Sequence, residues 1–136
     1  MPHYIKPNRY ELLSLNSISD SSDISLTSLL NLASPLLEKG VQLCAISLGA
    51  DGALFVSKHG VWRSEALKVH VKSTVGAGDG MTGALVYGLD KGLSIEECCA
   101  LSVAASAASC TTRGTNAPNI DLVDTLLKEV RLQRIV

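Results

Sequence analysis

The segment that most restricts the fold is the apolar run VQLCAISL at residues 41–48, which carries no charged side chain. Such a run is typical of a strand covered on both faces, because a half-exposed strand alternates apolar and polar residues. GADG at 49–52 predicts a tight turn, and ALFVSK at 53–58 predicts a second strand beside the first. Because helices are predicted to alternate with strands along the chain, the sequence indicates an α/β fold in which a sheet that contains this hairpin is layered against helices.

The segments around this hairpin supply further strands and helices. HYIKPN predicts a short strand stopped by Pro7, since proline cannot donate to a ladder. NRYELLSLN predicts a helix, residues 17–23 a loop, and residues 24–40 a helix ended by Gly40. VWRSEAL and KVHVKS alternate in hydropathy and predict two half-exposed strands, which complete a small antiparallel meander. A mostly parallel sheet would need more strands than these.

The C-terminal half of the chain is predicted to be mainly helical. From Asp79 onward the period becomes helical, with a buried stripe that ends near Lys91-Gly92. SIEE at 94–97 is a capping box and opens a helix of small residues that reaches Cys110. Residues 111–119 predict a loop, and a last helix follows at about 120–130. The stripe consists of Met81, Ala84, Leu85, Gly88 and Leu89, and the buried side of the last helix of Leu122, Val123, Leu126, Leu127 and Val130.

Composition excludes several classes of function. With 136 residues we expect one domain. A net charge of −1 without a basic patch, and aromatic residues at 4%, argue against nucleic-acid binding. Apolar runs shorter than about 20 residues argue against a membrane span. The four cysteines lack metal-ligand spacing, so we expect reduced, buried thiols in a reducing, cytoplasmic compartment.

The glycine-rich segment GAGDG, at residues 76–80, lies between a predicted strand and a predicted helix. The plainest interpretation is a turn, in which Gly76 and Gly78 supply positive φ and Asp79 caps the helix. A dinucleotide fingerprint needs a third glycine where Met81 stands, and a P-loop needs a Lys-Ser/Thr pair that is missing. The third interpretation is an anion site: the amides of Gly76, Ala77, Gly78 and Asp79 would bind a phosphate, and Asp79 would accept a proton.

Two earlier segments are compatible with phosphate chemistry. KPNRYE places Asn8 and Glu11 three residues apart, where an amide and a carboxylate could hold hydrated Mg²⁺. The plain alternative is a helix N-cap beside a surface acid. SLGADG presents Ser47, Gly49 and Gly52 after a buried strand, where bare backbone could approach a nucleotide or simply form a hairpin turn.

In this order the three segments resemble the C-terminal half of a PfkB-type (ribokinase-like) carbohydrate kinase, from Lys6 to about Val130. STVGAGD matches the family's second signature, D-T-x-G-A-G-D, and KPNRYEL matches its K-P-N-x-x-E-L pattern. Both forms are similar to the phosphofructokinase and tagatose-6-phosphate kinase branch. The resemblance implies part of a three-layer α/β/α fold with a meander, and phosphoryl transfer from ATP to a sugar phosphate.

The resemblance also implies roles for individual residues. Asp79 would be the catalytic base, and the amides of Gly76, Ala77 and Gly78 would stabilise the transferring phosphoryl group. Asn8 and Glu11 would hold Mg²⁺ through water. The residues implied in nucleotide binding are Lys6, Asn8, Ser47, Gly49, Gly52, Ala105 and Ser106, with the RGTN loop at 113–116 beside the last two.

The chain departs from the family pattern at three points. Gly80 stands where Ser commonly follows the catalytic aspartate, and Ser73 lacks the carboxylate of a monovalent-cation site. Family members are also longer, so we expect residues 1–136 to be the nucleotide-binding half without the sugar-binding half and lid. Such a half would have little activity alone and would form a homodimer or associate through an exposed sheet edge. Two other functions stay open: a non-catalytic nucleotide-binding fragment, and a ribokinase-like kinase of an unphosphorylated sugar, nucleoside or vitamin.

Overall fold

The computed structural model describes residues 4–15, 25–73, 76–112 and 120–135. The loop predicted at 17–23, most of the loop predicted at 111–119, and positions 74 and 75 of the glycine signature lie outside these ranges. In chain order the elements are β1 (Tyr4–Ile5), α1 (Arg9–Leu15), α2 (Leu26–Glu38), β2 (Leu43–Ser47), a 3₁₀ turn (Gly49–Asp51), β3 (Ala53–Ser57), β4 (Gly60–Ser64), α3 (Ala77–Lys91), α4 (Ile95–Cys110), α5 (Ile120–Leu127) and β5 (Leu132–Arg134).

The five strands form one sheet in the order β1-β2-β3-β4-β5. Only the β1–β2 pair is parallel, with Tyr4 opposite Leu43; the other three pairs are antiparallel. The predicted hairpin is confirmed, with Ala45 opposite Phe55. The meander is therefore most of the sheet rather than an insert in a parallel one.

Both faces of this sheet are covered, which confirms the layered α/β fold. Alternate side chains of β2 and β3 point to opposite faces, because a strand has a side-chain period of two. One face forms a core with α1 and α2, made of Leu12, Leu29, Ala33, Leu37, Val41, Cys44, Ile46, Leu48, Leu54, Val56 and Val61. The other face forms a core with α3 and α4, made of Leu43, Ala45, Ala53, Phe55, Trp62, Met81, Leu85, Cys98, Cys99 and Val103. The sheet is thus the middle of three layers.

One predicted strand is absent, and one observed strand was not predicted. β4 ends at Ser64, and residues 65–71, which include most of KVHVKS, form no ladder although they keep the alternating pattern. The edge of the meander is instead β5, which pairs with β4 through Trp62 and Arg134. Leu132–Arg134 is short and polar, so local pattern alone gave no strand signal.

The predicted helix ends are largely confirmed. Gly40 follows α2 with φ +109°, and Gly92 ends α3 with φ +70°. Ser94 and Glu97 form the capping box of α4. Three details differ: α3 begins at Ala77 rather than Asp79, Leu89 is 46% exposed, and α5 ends at Leu127 although Val130 still packs beneath it.

Helices α3 and α4 pack closely because two glycines of α3 face α4. A β-carbon on Gly88 would overlap the Cys98 sulfur and lie 3.3 Å from the Cys98 β-carbon. A β-carbon on Gly80 would overlap the Ser109 hydroxyl and lie 2.9 Å from the Ala105 carbonyl oxygen. The absence of side chains at both positions sets the distance between the helices.

We expect Gly88→Ala to lower the free energy of unfolding even though alanine is the better helix former. The propensity gain is about 1 kcal/mol, whereas overpacking costs about 1–3 kcal/mol. In Gly88→Ala/Cys98→Ala the overlapping sulfur is gone, so stability should return to the wild-type value. Gly83→Ala is the matched control, because nothing lies within 4 Å of its β-carbon position; it should stabilise. Urea unfolding of the four proteins measures these effects, and a Gly88→Ala protein that is stabilised as much as Gly83→Ala would contradict the contact.

The thiol prediction is confirmed for three of the four cysteines. Cys44, Cys98 and Cys99 are free and buried, and Cys110 is free and half-buried. Burial raises the pKa of the Cys44 thiol to about 12 and also raises the pKa of Cys99. Both are therefore protonated at neutral pH.

No helix in the described part of the chain is long and apolar enough to cross a bilayer.

Candidate functional site

The N-terminus of α3 presents main-chain amides without a side-chain cap. Gly76, the residue before the helix, has φ −90° and ψ −2° and has no side chain to offer. The first hydrogen bond of the helix runs from the Gly80 amide to the Gly76 carbonyl at 2.9 Å. The amides of Ala77, Gly78 and Asp79 precede it and have no intrahelical acceptor, as in any α-helix. They carry the positive end of the helix dipole.

Neither backbone conformation nor packing requires glycine at position 78. Gly78 lies inside the first turn of α3 and is not among the positive-φ glycines. A β-carbon there would meet only the Lys6 side chain, with Nζ at 3.4 Å. The turn interpretation therefore lacks its physical basis, since Gly76 also has an ordinary φ. Glycine at this position leaves open space beside the Lys6 ammonium, in the first turn of α3.

Asp79 follows Gly78 in the first turn of α3 and is exposed. Among the residues that the structure describes, no hydrogen bond or ion pair engages its carboxylate. The side chain is thus available to solvent beside the amides of the helix start.

Asn8 and Glu11 form a reciprocal cap on α1. The Glu11 amide donates to Asn8 Oδ1 at 2.8 Å, and the Asn8 amide donates to Glu11 Oε1 at 2.9 Å. Asn8 also forms an isolated parallel β-bridge with Ser47. The Ser47 amide donates to the Pro7 carbonyl at 3.1 Å. These contacts hold the KPN segment against the end of β2.

The two predicted glycines after β2 have different environments. Gly49 has φ +59°, and its β-carbon position is open, with nothing within 4 Å. Gly52 has φ +92°, and a β-carbon there would overlap the Ser64 carbonyl oxygen and lie 2.8 Å from the Ala66 nitrogen. Packing against the end of β4 therefore explains glycine at 52, and Gly49 alone leaves bare backbone facing open space.

A groove of about 990 Å³ joins these segments. This volume is at the upper end of the range for small-molecule sites, about 300–1,000 Å³. Among the predicted site residues, the groove is lined by Asn8, Ser47, Gly49, Gly52, Ala77, Gly78 and Ser106. Four further predicted residues do not line the groove: Lys6, Glu11, Gly76 and Asp79. Lys6 lies next to the lining residue Gly78, and Glu11 is hydrogen-bonded to the lining residue Asn8. The structure thus brings together segments that are far apart in the chain.

Ala105 is a predicted residue that the structure does not bring to the groove. It is buried, and its carbonyl faces Gly80 of α3. The α4 residues in the groove wall are Val103, Ser106, Ala107 and Cys110. The RGTN loop lies outside the described residues.

One wall of the groove was not predicted from the sequence. It is the extended segment after β4, which contributes Ala66, Leu67, Lys68, Val69 and Val71. The segment is held by the carbonyl of Cys110, which accepts from the amides of Lys72 at 2.8 Å and Ser73 at 3.3 Å. Its alternating pattern was visible in the sequence but was assigned to a strand.

The groove supplies few metal ligands of its own. Within the described ranges, no group of three His, Cys, Asp or Glu side chains could hold a metal ion. Mg²⁺ commonly takes only one or two carboxylates and completes its shell with water and phosphate oxygens. Glu11 fits this requirement, because its hydrogen bond to Asn8 uses Oε1 and leaves Oε2 outside that bond.

This chain is similar in sequence to known carbohydrate kinases. The family model of the pfkB family carbohydrate kinases matches residues 1–122. The 1-phosphofructokinase of Haemophilus influenzae is 34% identical over 140 residues, covering 98% of this chain and 42% of that protein. The chain thus spans less than half the length of such relatives.

Solved structures give the same result. Phosphofructokinase-2 from Escherichia coli superposes with a TM-score of 0.84 at 29% identity, over 93% of this chain and 40% of that one. Ribokinase from Thermotoga maritima superposes with a TM-score of 0.77 at 29% identity, over 93% of this chain and 42% of that one. The fold is therefore ribokinase-like, and the chain belongs to the pfkB family of carbohydrate kinases.

Proposed function

We propose that residues 1–136 form the nucleotide-binding, C-terminal half of an ATP-dependent sugar-phosphate kinase. The observation that carries the proposal is Gly78. The fold does not need glycine there, yet its absent side chain keeps the amide end of α3 open to the groove beside Lys6. Amides at a helix N-terminus and an ammonium group together favour a phosphate.

The transfer step assigns one role to each group. The sugar hydroxyl forms a bond to the γ-phosphorus of ATP, while the bond from that phosphorus to the β–γ bridging oxygen breaks and ADP leaves with its electron pair. Asp79 accepts the hydroxyl proton, and the amides of Gly76, Ala77 and Gly78 stabilise the charge on the equatorial oxygens. Asn8 and Glu11 would hold Mg²⁺ through water, and the ion would supply positive charge beside the phosphates.

The groove provides the remaining contacts of the nucleotide. Lys6, Asn8, Ser47 and Gly49 lie on the phosphate side. Ser106 and the apolar side chains of Leu67, Val69 and Val103 lie along the wall, where an adenine ring would be covered. In this proposal Gly52 shapes the turn after β2 through its packing and does not contact the nucleotide. Ala105 is buried and is no longer proposed to bind the nucleotide.

Fructose 1-phosphate is the first acceptor to test, followed by fructose 6-phosphate and tagatose 6-phosphate. Support comes from the STVGAGD and KPNRYEL segments and from the 1-phosphofructokinase similarity. A kinase of an unphosphorylated sugar, nucleoside or vitamin is the alternative within the same fold, and phosphorylation of such a substrate would identify it.

A non-catalytic nucleotide-binding fragment is the second candidate function. The length of the chain favours this candidate, since it spans only 42% of the 1-phosphofructokinase of Haemophilus influenzae. A sugar hydroxyl must be held in line with the γ-phosphorus, and loss of this positioning removes up to about 7–11 kcal/mol of barrier lowering. The groove described above holds the nucleotide side only.

We therefore expect the pure 136-residue chain to bind Mg·ATP without phosphorylating any of the three sugar phosphates. Calorimetric titration measures the binding, and release of ADP measures turnover. Lys6→Met should weaken ATP binding by about tenfold or more, because hydrogen bonds to charged groups contribute about 1.5–3 kcal/mol.

Lys91→Met is the matched control, since Lys91 lies at the far end of α3 over the Tyr87 ring. It should leave ATP affinity unchanged. A folded chain that fails to bind ATP would contradict the nucleotide site, and measurable turnover would contradict the incomplete acceptor site.

Two further proposals concern the surroundings of the protein. In the described part of the sheet β1 pairs only with β2, so its outer edge can accept another strand, from a second copy or from other polypeptide. Buried thiols without disulfides support a reducing, cytoplasmic compartment.

A further inference from the structure

The first turn of α3 has little intrinsic reason to be helical. Gly76, Gly78 and Gly80 place three glycines in five residues, and each interior glycine costs about 1 kcal/mol relative to alanine. The helix also begins without a side-chain cap. The geometry of the amides and of Asp79 must therefore come from tertiary contact.

Gly80 makes that contact. It closes the first hydrogen bond of α3, to the Gly76 carbonyl, and it directly follows Asp79. Its α-carbon lies against the last turns of α4, where Ser109 fills the volume that a side chain at position 80 would occupy. Ser109 is 3% exposed, so its hydroxyl is enclosed in this contact.

The pattern of the two positions is complementary. The family signature commonly has serine after the aspartate, and this chain has glycine there. A serine at 80 could not be added to the present packing, because its β-carbon would overlap the Ser109 hydroxyl.

We infer that Ser109 is a positioning residue for the phosphate-binding end of α3: through Gly80 it fixes the amides of Ala77, Gly78 and Asp79. The inference rests on the proposed function for its effect on ATP, but the contact itself does not. Ser109 need not touch the nucleotide, and it is absent from the groove lining.

The test uses Ser109→Ala, Gly80→Ser and the double variant Gly80→Ser/Ser109→Ala in the full chain. Ser109→Ala should shift the ¹H–¹⁵N resonances of Ala77, Gly78 and Asp79 and weaken Mg·ATP binding by about tenfold, equivalent to ~1.4 kcal/mol. Gly80→Ser should shift the same resonances and weaken binding further. The double variant should bind more tightly than Gly80→Ser, since loss of the Ser109 hydroxyl relieves the overlap with it, while the Ala105 carbonyl oxygen, 2.9 Å from the new β-carbon, still limits the recovery.

Ser102→Ala is the matched control. Ser102 is also buried in α4, but its hydroxyl donates to the Cys99 carbonyl at 2.8 Å, away from Gly80. This variant should lower the melting temperature at least as much as Ser109→Ala while leaving the three resonances and the ATP affinity unchanged. A general loss of α4 stability would affect both variants alike.

Two results would overturn the inference: unchanged amide resonances in Ser109→Ala, or a double variant as weak as the product of its single variants. Absence of ATP binding by the wild-type chain would instead reject the proposed function. In that case the amide resonances still decide whether Ser109 positions the helix start.

Discussion

Asp79→Asn is expected to lower turnover by about 10²- to 10⁴-fold in a catalytically complete protein that contains these residues, which is the usual contribution of a positioned general base. The amide cannot accept the hydroxyl proton, although it has nearly the shape of the carboxylate. Asp79 is exposed and makes no contact with other described residues that the substitution would break. ATP affinity should therefore stay nearly unchanged.

The measurement is ADP release with fructose 1-phosphate as acceptor, alongside titration of Mg·ATP. Asp90→Asn provides the matched control, because Asp90 is an exposed acid of the same helix, about three turns from Asp79. Its turnover should equal that of the wild-type protein. Equal turnover in Asp79→Asn would reject the base assignment, and a parallel loss of ATP affinity would assign Asp79 to binding instead.

The layers of the fold could be predicted from the sequence because the strands that fix them are apolar on both faces. Cys44 and Ile46 contact one core, and Leu43 and Ala45 contact the other, so a covered sheet was the physical consequence of the run at 41–48. Glycines and caps at the helix ends also act locally. Gly40, Gly92 and the Ser94–Glu97 box end or begin helices as expected.

The errors occurred where distant residues decide the structure. Residues 65–71 alternate like a strand, but the carbonyl of Cys110 in α4 takes the amides of Lys72 and Ser73, and the segment becomes a groove wall. β5 forms because β4 offers an edge to a short polar stretch. The first turn of α3 starts at Ala77, and Gly80 in that turn packs on α4. None of these partners is visible in a local window.

The candidate site shows the same division. The segments that form the groove were found from glycine and polar patterns, and the structure places most of them together. The glycines at 49, 52 and 78 look equivalent in the sequence, however, although the structure gives a different reason for glycine at each position. A β-carbon on Gly78 would meet only the Lys6 side chain, Gly49 has a left-handed φ in open space, and Gly52 is enclosed by backbone.

Gly52→Ala is therefore expected to lower the free energy of unfolding by about 2–6 kcal/mol. A non-glycine residue held in a rare backbone region costs about 1–3 kcal/mol, and overpacking against fixed neighbours costs about 1–3 kcal/mol more. The neighbours here are main-chain atoms of Ser64 and Ala66, which cannot rotate away as a side chain can. Since domains are stable by only about 5–15 kcal/mol, the variant should lose much of its folded population.

Gly49→Ala, three residues earlier in the same turn, separates this effect from nucleotide binding. Its φ of +59° is also left-handed, but its β-carbon position has no atom within 4 Å, so the expected loss is about 1–2 kcal/mol. Urea unfolding followed by circular dichroism gives both values. Similar midpoints for the two variants would show that the Ser64–Ala66 backbone yields easily and that glycine at 52 has another cause. A Gly49→Ala chain that stays folded but binds ATP weakly would place the nucleotide on the bare backbone at Gly49.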